Sequence, residues 1–169
     1  MIESILSNDE ARLVLQNGAP EVCGYWRDPE TGIRCRMQAD FIAFDGKVLI
    51  DIKTTQDCDP LLFRKTLEAQ NYQFQMAMYA EGIKQITGRR PSKVAWIAVE
   101  NKAPFETRVY EWSPVYEFIG DSQFRDSILK LKQCIEKNEF PGGQSSTEII
   151  EPSGVLLRKY EQLLVNYVG

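Results

Sequence analysis

The sequence predicts an α/β fold with a mixed central β-sheet flanked by helices, and three observations carry that expectation. Strand-like apolar runs separated by turn residues fill the stretch from Glu21 to Thr55. A long stretch with helical periodicity follows from Leu61 to Thr87, and two more strand-like runs, Lys93 to Val99 and Glu106 to Trp112, lie beyond it. Strands on either side of a crossing helix imply a mixed sheet covered on both faces.

Taken in order, Asp9 to Gln16 predicts a first helix ending at Asn17-Gly18, where glycine commonly caps a C-terminus. Glu21 to Arg27 is the first strand and Asp28-Pro29-Glu30-Thr31-Gly32 its turn; Ile33 to Phe44 and Lys47 to Thr55 form a hairpin around Asp45-Gly46. Asp59-Pro60 reads as N-cap and first helical residue of the Leu61–Thr87 helix. Its stripe of Tyr72, Met76, Tyr79, Ile83 and Ile86 should face the sheet. Asn101-Lys102-Ala103-Pro104 joins the last two strands, and a helix from Asp121 to Asn138 carries Phe124, Ile128, Leu131 and Ile135 on one face. Residues 1–143 thus make one domain. Residues 144–169 are expected to be a polar linker and a helix from Val155 to Tyr167, packed on the same domain or on a neighbouring subunit.

Composition bounds the function. The chain has 169 residues, 43% hydrophobic and 26% charged, enough for one core. It shows no membrane span and no signal-peptide pattern, so a cytoplasmic protein is expected. Cys23, Cys35, Cys58 and Cys134 lack CxxC spacing and read as reduced thiols. With no histidine, a Ser-His-Asp or Cys-His triad is excluded, and no glycine-rich phosphate loop suggests ATP hydrolysis. The net charge of −4 is unlike a uniformly basic nucleic-acid binder, but a local groove needs only local cations. Arg34, Arg36, Arg64, Lys65, Lys84, Arg89, Arg90 and Lys93 could line one.

The chemistry concentrates in the hairpin. A two-residue Asp45-Gly46 turn sets Phe44 against Lys47 and, counting outward, Asp40 against Asp51. Facing Cβ atoms in a sheet are about 5 Å apart, where like charges repel. Lys53 projects on the same face as Asp51. A divalent cation is the natural compensator, since Mg²⁺ is held by one or two carboxylates and keeps positions open for water and substrate phosphate. The lysine would then orient water or offset charge in the transition state. Gln75 and Tyr79, four apart on the long helix, can point to one spot.

In this arrangement Asp40, ten residues, then Asp51-Ile52-Lys53-Thr54-Thr55 resembles the PD-(D/E)xK nuclease signature. Tyr72-Gln73-Phe74-Gln75-Met76-Ala77-Met78-Tyr79 is similar to the Gln-x-x-x-Tyr motif of its RecB-like branch, above all of phage-type RecE-like exonucleases. Smaller fragments between residues 20 and 143 agree, among them Trp26-Arg27-Asp28-Pro29-Glu30-Thr31-Gly32 and Val99-Glu100-Asn101-Lys102. The resemblance implies a restriction-endonuclease-like core. It implies Mg²⁺, with Mn²⁺ as a substitute, held by Asp40, Asp51 and the Ile52 carbonyl, and catalytic roles for Lys53, Gln75 and Tyr79. Related enzymes add an upstream His or Glu, a place that falls here to Glu10 or Glu21. The chain reads Gln38-Ala39-Asp40 where the family usually has Arg-x-Asp or Pro-Asp. The implied activity is exonucleolytic digestion of double-stranded DNA ends, 5′ to 3′. The 3′ single-stranded tails would pass to a single-strand annealing protein, and the enzyme would be a ring-shaped homo-oligomer. A structure- or site-specific endonuclease would use the same residues, and a catalytically silent DNA-binding or assembly module would need no metal.

Overall fold

The computed structural model describes residues 1–142, 147 and 149–160. Its elements are α1 (Ile2–Ser7), α2 (Asp9–Val14), β1 (Gly18–Arg27), β2 (Arg34–Ala43), β3 (Val48–Thr55), α3 (Pro60–Ala69), α4 (Tyr72–Thr87), β4 (Lys93–Glu100), β5 (Thr107–Glu111) and α5 (Pro114–Lys137). The strands form one sheet in chain order. All neighbours are antiparallel except β3 and β4, which α3 and α4 connect as a parallel crossover. This is the mixed α/β sheet the sequence predicts.

Each face of the sheet has its own core. Met37, Ala39, Ile42, Leu49, Trp96 and Ala98 pack with Met76, Ala80 and Ile83 of α4 and with Phe124 and Ile128 of α5. On the other face, Phe41, Ile50, Ala95 and Ile97 pack with Ala11 and Val14 of α2. Alternation along β4 explains why Val94–Val99 is an unbroken apolar run: a strand covered on both faces cannot spare polar positions. Burying each large side chain of this kind stabilises the fold by roughly 1.5–3 kcal/mol.

Compact packing divides the chain into Met1–Glu139 and Phe140–Gly169. In the second unit residues 154–160 are helical, opened by Ser153, whose Oγ accepts the Leu156 N–H at 3.4 Å. Val155, Leu156, Leu157 and Tyr160 are exposed there. Residues 161–167 of the helix expected from Val155 to Tyr167 lie outside the described residues.

Four local expectations change. The single helix expected from Leu61 to Thr87 breaks at Gln70-Asn71, because Asn71 adopts the left-handed conformation (φ 54°), which asparagine tolerates better than most residues. Of its stripe, Met76 and Ile83 are buried, Tyr72 and Tyr79 partly so, and Ile86 is exposed. The helix expected from Asp121 starts at Pro114, with Ser113 Oγ accepting the Tyr116 N–H as N-cap. At the first helix, Asn17 rather than Gly18 takes positive φ (54°), and Gly18 opens β1 because a Cβ there would lie 2.2 Å from Phe41 Cζ. The β2–β3 turn is looser than two residues: Gly46 N–H donates to Ala43 O, and the strands end at Ala43 and Val48. Widening by one residue on each side leaves the register unchanged, with Phe41 opposite Ile50 and Ile42 opposite Leu49.

Candidate active site

The site forms where the sheet splits. β2 and β3 pair at Ile42↔Leu49 and Phe41↔Ile50, and continuing that register by one residue sets Asp40 opposite Asp51. There the strands part, and Asp40 Oδ2 accepts the Ile52 N–H at 2.6 Å in place of a backbone carbonyl. On the other side of β2, pairing with β1 passes from Pro20↔Phe41 to Val22↔Ala39, so Glu21 and Asp40 are both left out. Glu21 sits at φ 52°. The same irregularity switches the faces of β2, with Ala39 in one core and Phe41 in the other. Asp40 is thereby freed from the ladder on both sides and remains partly exposed.

Asp51 is 2% exposed on the α4 face of β3. Burial is the main influence on its carboxyl, pushing it up to about 6; Lys53 pulls it down and Asp40 pushes it further up. Lys53 Nζ stands 2.7 Å from Asp51 Oδ2. That oxygen is buried, and the ammonium within donor range makes the contact a charge-assisted ion pair. Lys53 Nζ donates to Gln75 Oε1 at 2.9 Å, and Gln75 Nε2 donates to the Tyr79 hydroxyl at 3.2 Å. Tyr72 lays its ring 4.3 Å from Nζ. Residues 72, 75 and 79 share one helix face, which is the signal by which Tyr72 could have been added to the site.

The structure therefore brings together Asp40, Asp51, Ile52, Lys53, Gln75 and Tyr79. It does not gather an upstream acid with them. Glu21 Oε2 accepts from Gln38 Nε2 at 2.7 Å, and Glu10 is exposed on α2, the helix on the face opposite Asp51. Among the described residues no three acidic, cysteine or histidine side chains cluster as a metal cage. Two adjacent carboxylates, one buried and one partly exposed, remain a fitting donor set for a hard divalent cation that keeps most of its water. No described helix is long and apolar enough to cross a membrane.

A mixed sheet that parts beside a buried Asp-x-Lys, served by a Gln and Tyr from the crossing helix, places the domain in the PD-(D/E)xK nuclease superfamily. The chain belongs to the family described as "PDDEXK-like domain of unknown function (DUF3799)", whose model matches residues 1–151. No curated protein matches. Among solved structures, a protein from Eubacterium rectale described as a candidate exonuclease superposes with a TM-score of 0.65 at 14% identity over 92% of this chain. The match covers 61% of that protein's length. An alkaline exonuclease from Laribacter hongkongensis is 15% identical over 76% of this chain and 67% of its own, with a TM-score of 0.37. The first of these carries the restriction-endonuclease-like α/β fold.

Proposed function

We propose that this domain is a metal-dependent deoxyribonuclease that digests linear double-stranded DNA from its ends. The observation that carries this reading is the Asp51 carboxylate, buried beside Asp40 with Lys53 against it and pushed up to about 6 chiefly by burial. A buried carboxylate with a second carboxylate raising its pKa is an arrangement that a bound divalent cation would relieve. Mg²⁺, with Mn²⁺ as substitute, fits the pair, and the Ile52 carbonyl is the third ligand of this reading. A divalent cation bound there supplies Lewis-acid polarisation of the scissile phosphate and a more acidic water. Lys53 holds its ammonium where charge accumulates on the phosphate, and Asp51 and Gln75 take two of its three donor directions. Gln75 fixes the lysine rotamer, and Tyr79 fixes Gln75 through its hydroxyl oxygen.

The finer reading takes residues 1–143 as the catalytic domain and has the enzyme degrade 5′ to 3′. It leaves 3′ tails for a single-strand annealing protein and works as a ring-shaped homo-oligomer. Support for it is the likeness to RecE-like exonucleases in the Asp-Ile-Lys and Gln-x-x-x-Tyr motifs. End-labelled linear DNA and closed circular DNA, each with Mg²⁺, Mn²⁺ or chelator, test it, with Asp51→Asn as the blank. Metal-dependent loss of linear DNA alone is expected. Equal cutting of closed circles would replace the exonuclease with an endonuclease, and no cutting of either by protein that binds DNA would leave a silent binding module.

A further inference from the structure

Lys53 has a third neighbour that neither the Asp40/Asp51 pair nor the Gln-x-x-x-Tyr motif accounts for. Tyr72 sets its ring centroid 4.3 Å from the Lys53 ammonium, the closest cation–ring contact among the described residues; Lys159, Arg125 and Arg90 stand 5.6, 5.7 and 6.0 Å from theirs. Where Tyr79, Tyr110 and Tyr116 use their hydroxyls in hydrogen bonds, Tyr72 has no hydroxyl partner among the described residues and offers Lys53 its ring. The rest of the side chain packs partly against the core on the α4 side of the sheet.

The backbone is bent to put that ring there. Tyr72 is the first residue of α4, and Asn71 before it stands in the left-handed conformation at φ 54° without capping the helix through its side chain. Left-handed backbone is strained for any residue but glycine, and it persists where the surroundings over-determine it. Asn71 Oδ1 holds the break from the α5 side, accepting from Gln73 Nε2 and Gln123 Nε2, each at 3.3 Å. The helix restarts so that Tyr72, Gln75 and Tyr79 fall on one face, with the first two against Lys53.

Lysine is a poor anchor by itself, because its flexible stem has many rotamers to lose. Asp51 and Gln75 engage two of its N–H donors, and a third polar partner would engage the last. A ring attracts the charge through its face and brings no lone pair, so the ammonium is held while one donor stays free for a phosphate oxygen.

We propose that Tyr72 is a positioning residue of the site, its ring fixing the Lys53 ammonium against Asp51 and Gln75 so that the remaining donor meets the phosphate. This rests on the nuclease reading of Lys53 and adds the group that holds it in place.

A double-mutant cycle on the whole chain tests it, read as single-turnover cleavage of end-labelled linear duplex at saturating Mg²⁺. Tyr72→Leu keeps an apolar side chain but loses the ring, and should cut about tenfold more slowly, within the range for a partly desolvated cation over a ring. Its duplex affinity in chelator should equal that of wild type. Tyr72→Phe returns the ring and should restore most of the rate. Lys53→Ala/Tyr72→Leu should be no slower than Lys53→Ala, since Tyr72 acts only through the lysine. In metal-free protein, NMR should show the Lys53 ε-methylene protons shifted upfield by the ring in wild type and Tyr72→Phe but not in Tyr72→Leu. The wild-type spectrum decides the contact even where Tyr72→Leu folds poorly. An ordinary methylene position in wild type, a Tyr72→Phe as slow as Tyr72→Leu, a Tyr72→Leu as fast as wild type, or losses that multiply in the cycle each overturn the role of Tyr72 and leave the nuclease reading standing. Wild type that cuts no duplex with Mg²⁺ or Mn²⁺ overturns both.

Discussion

Asp40 does the work of a strand for Ile52: its Oδ2 takes the amide proton at 2.6 Å where the β2–β3 ladder has run out. The side chain is thus a ladder end and, in the proposed reading, a cation ligand as well, and the two roles separate by substitution. Asp40→Asn keeps an acceptor for Ile52 and should unfold within a few tenths of a kcal/mol of wild type, yet bind no metal and cut no DNA. Asp40→Ala strands the Ile52 N–H and should lose about 1 kcal/mol as well. Denaturant titration of the two variants checks this; equal stabilities would remove the structural role.

Asp51 gives the site a pH dependence of definite sign. Its folded pKa, raised to about 6 chiefly by burial, exceeds the ordinary 3.8. The group's stabilising contribution is therefore full below pH ~4 and is lost as pH rises through about 6. Without metal, Asp51→Asn should be more stable than wild type at pH 8, by on the order of 2–3 kcal/mol, and the gap should close toward pH 4. The cation needs the ionised carboxylate, so wild-type metal affinity should climb through pH 6 and level off above it. Calorimetric titration at pH 5, 6 and 8 reads both the affinity and the proton released. An affinity flat across that range would mean Asp51 is not a ligand.

Removing Lys53 separates catalysis from metal binding. In Lys53→Ala, Asp51 loses the neighbour that lowers its pKa, so metal binding should move to higher pH but recover by pH 8.5. Cleavage at pH 8.5 should still fall 10²–10³-fold, the usual cost of one preorganised charge, about 3–4 kcal/mol of barrier. Parallel binding and cleavage measurements decide it. Metal affinity lost at every pH would make Lys53 a strut for Asp51.

How much of this was legible depends on which physics each feature obeys. Asp40, Asp51 and Lys53 could be placed because strand register has a period of two, and a turn that widens evenly on both sides leaves it intact. The break at Asn71 was hidden because neither glycine nor proline marks it and the apolar stripe runs on past it. Ser113-Pro114 carried the same start signal as Asp59-Pro60, but the apolar stripe from Phe124 drew attention seven residues downstream. The irregularity at Glu21 and Asp40 has no local sequence mark; it follows from two cores competing for alternate residues of β2. Pairing between cations and acids distant in sequence, which engages Arg90 and leaves Arg34 and Arg36 without an ion pair among the described residues, is tertiary by nature.

Asp28, fully buried at the end of β1, fixes the hairpin that carries those arginines. Burial alone would raise its pKa, but bonds from the Thr31 hydroxyl and N–H, with Arg125 beyond them, outweigh it and hold the carboxyl below 3.8. A depressed pKa means stability present above the unfolded value and lost as pH falls through the folded one. Arg125→Ala leaves this carboxylate inside with only Thr31 to hold it. Its loss should cost about 2 kcal/mol at pH 7, less than the ~3–5 of a fully buried pair because Arg125 is partly exposed. The deficit should shrink in acid as Asp28 becomes protonated. Hydrogen exchange should quicken at the Thr31 and Gly32 amides, which bond to Asp28, while metal affinity at the Asp40/Asp51 site stays unchanged. Unaltered protection at those two amides would show that the turn holds itself and that Arg125 serves only α5.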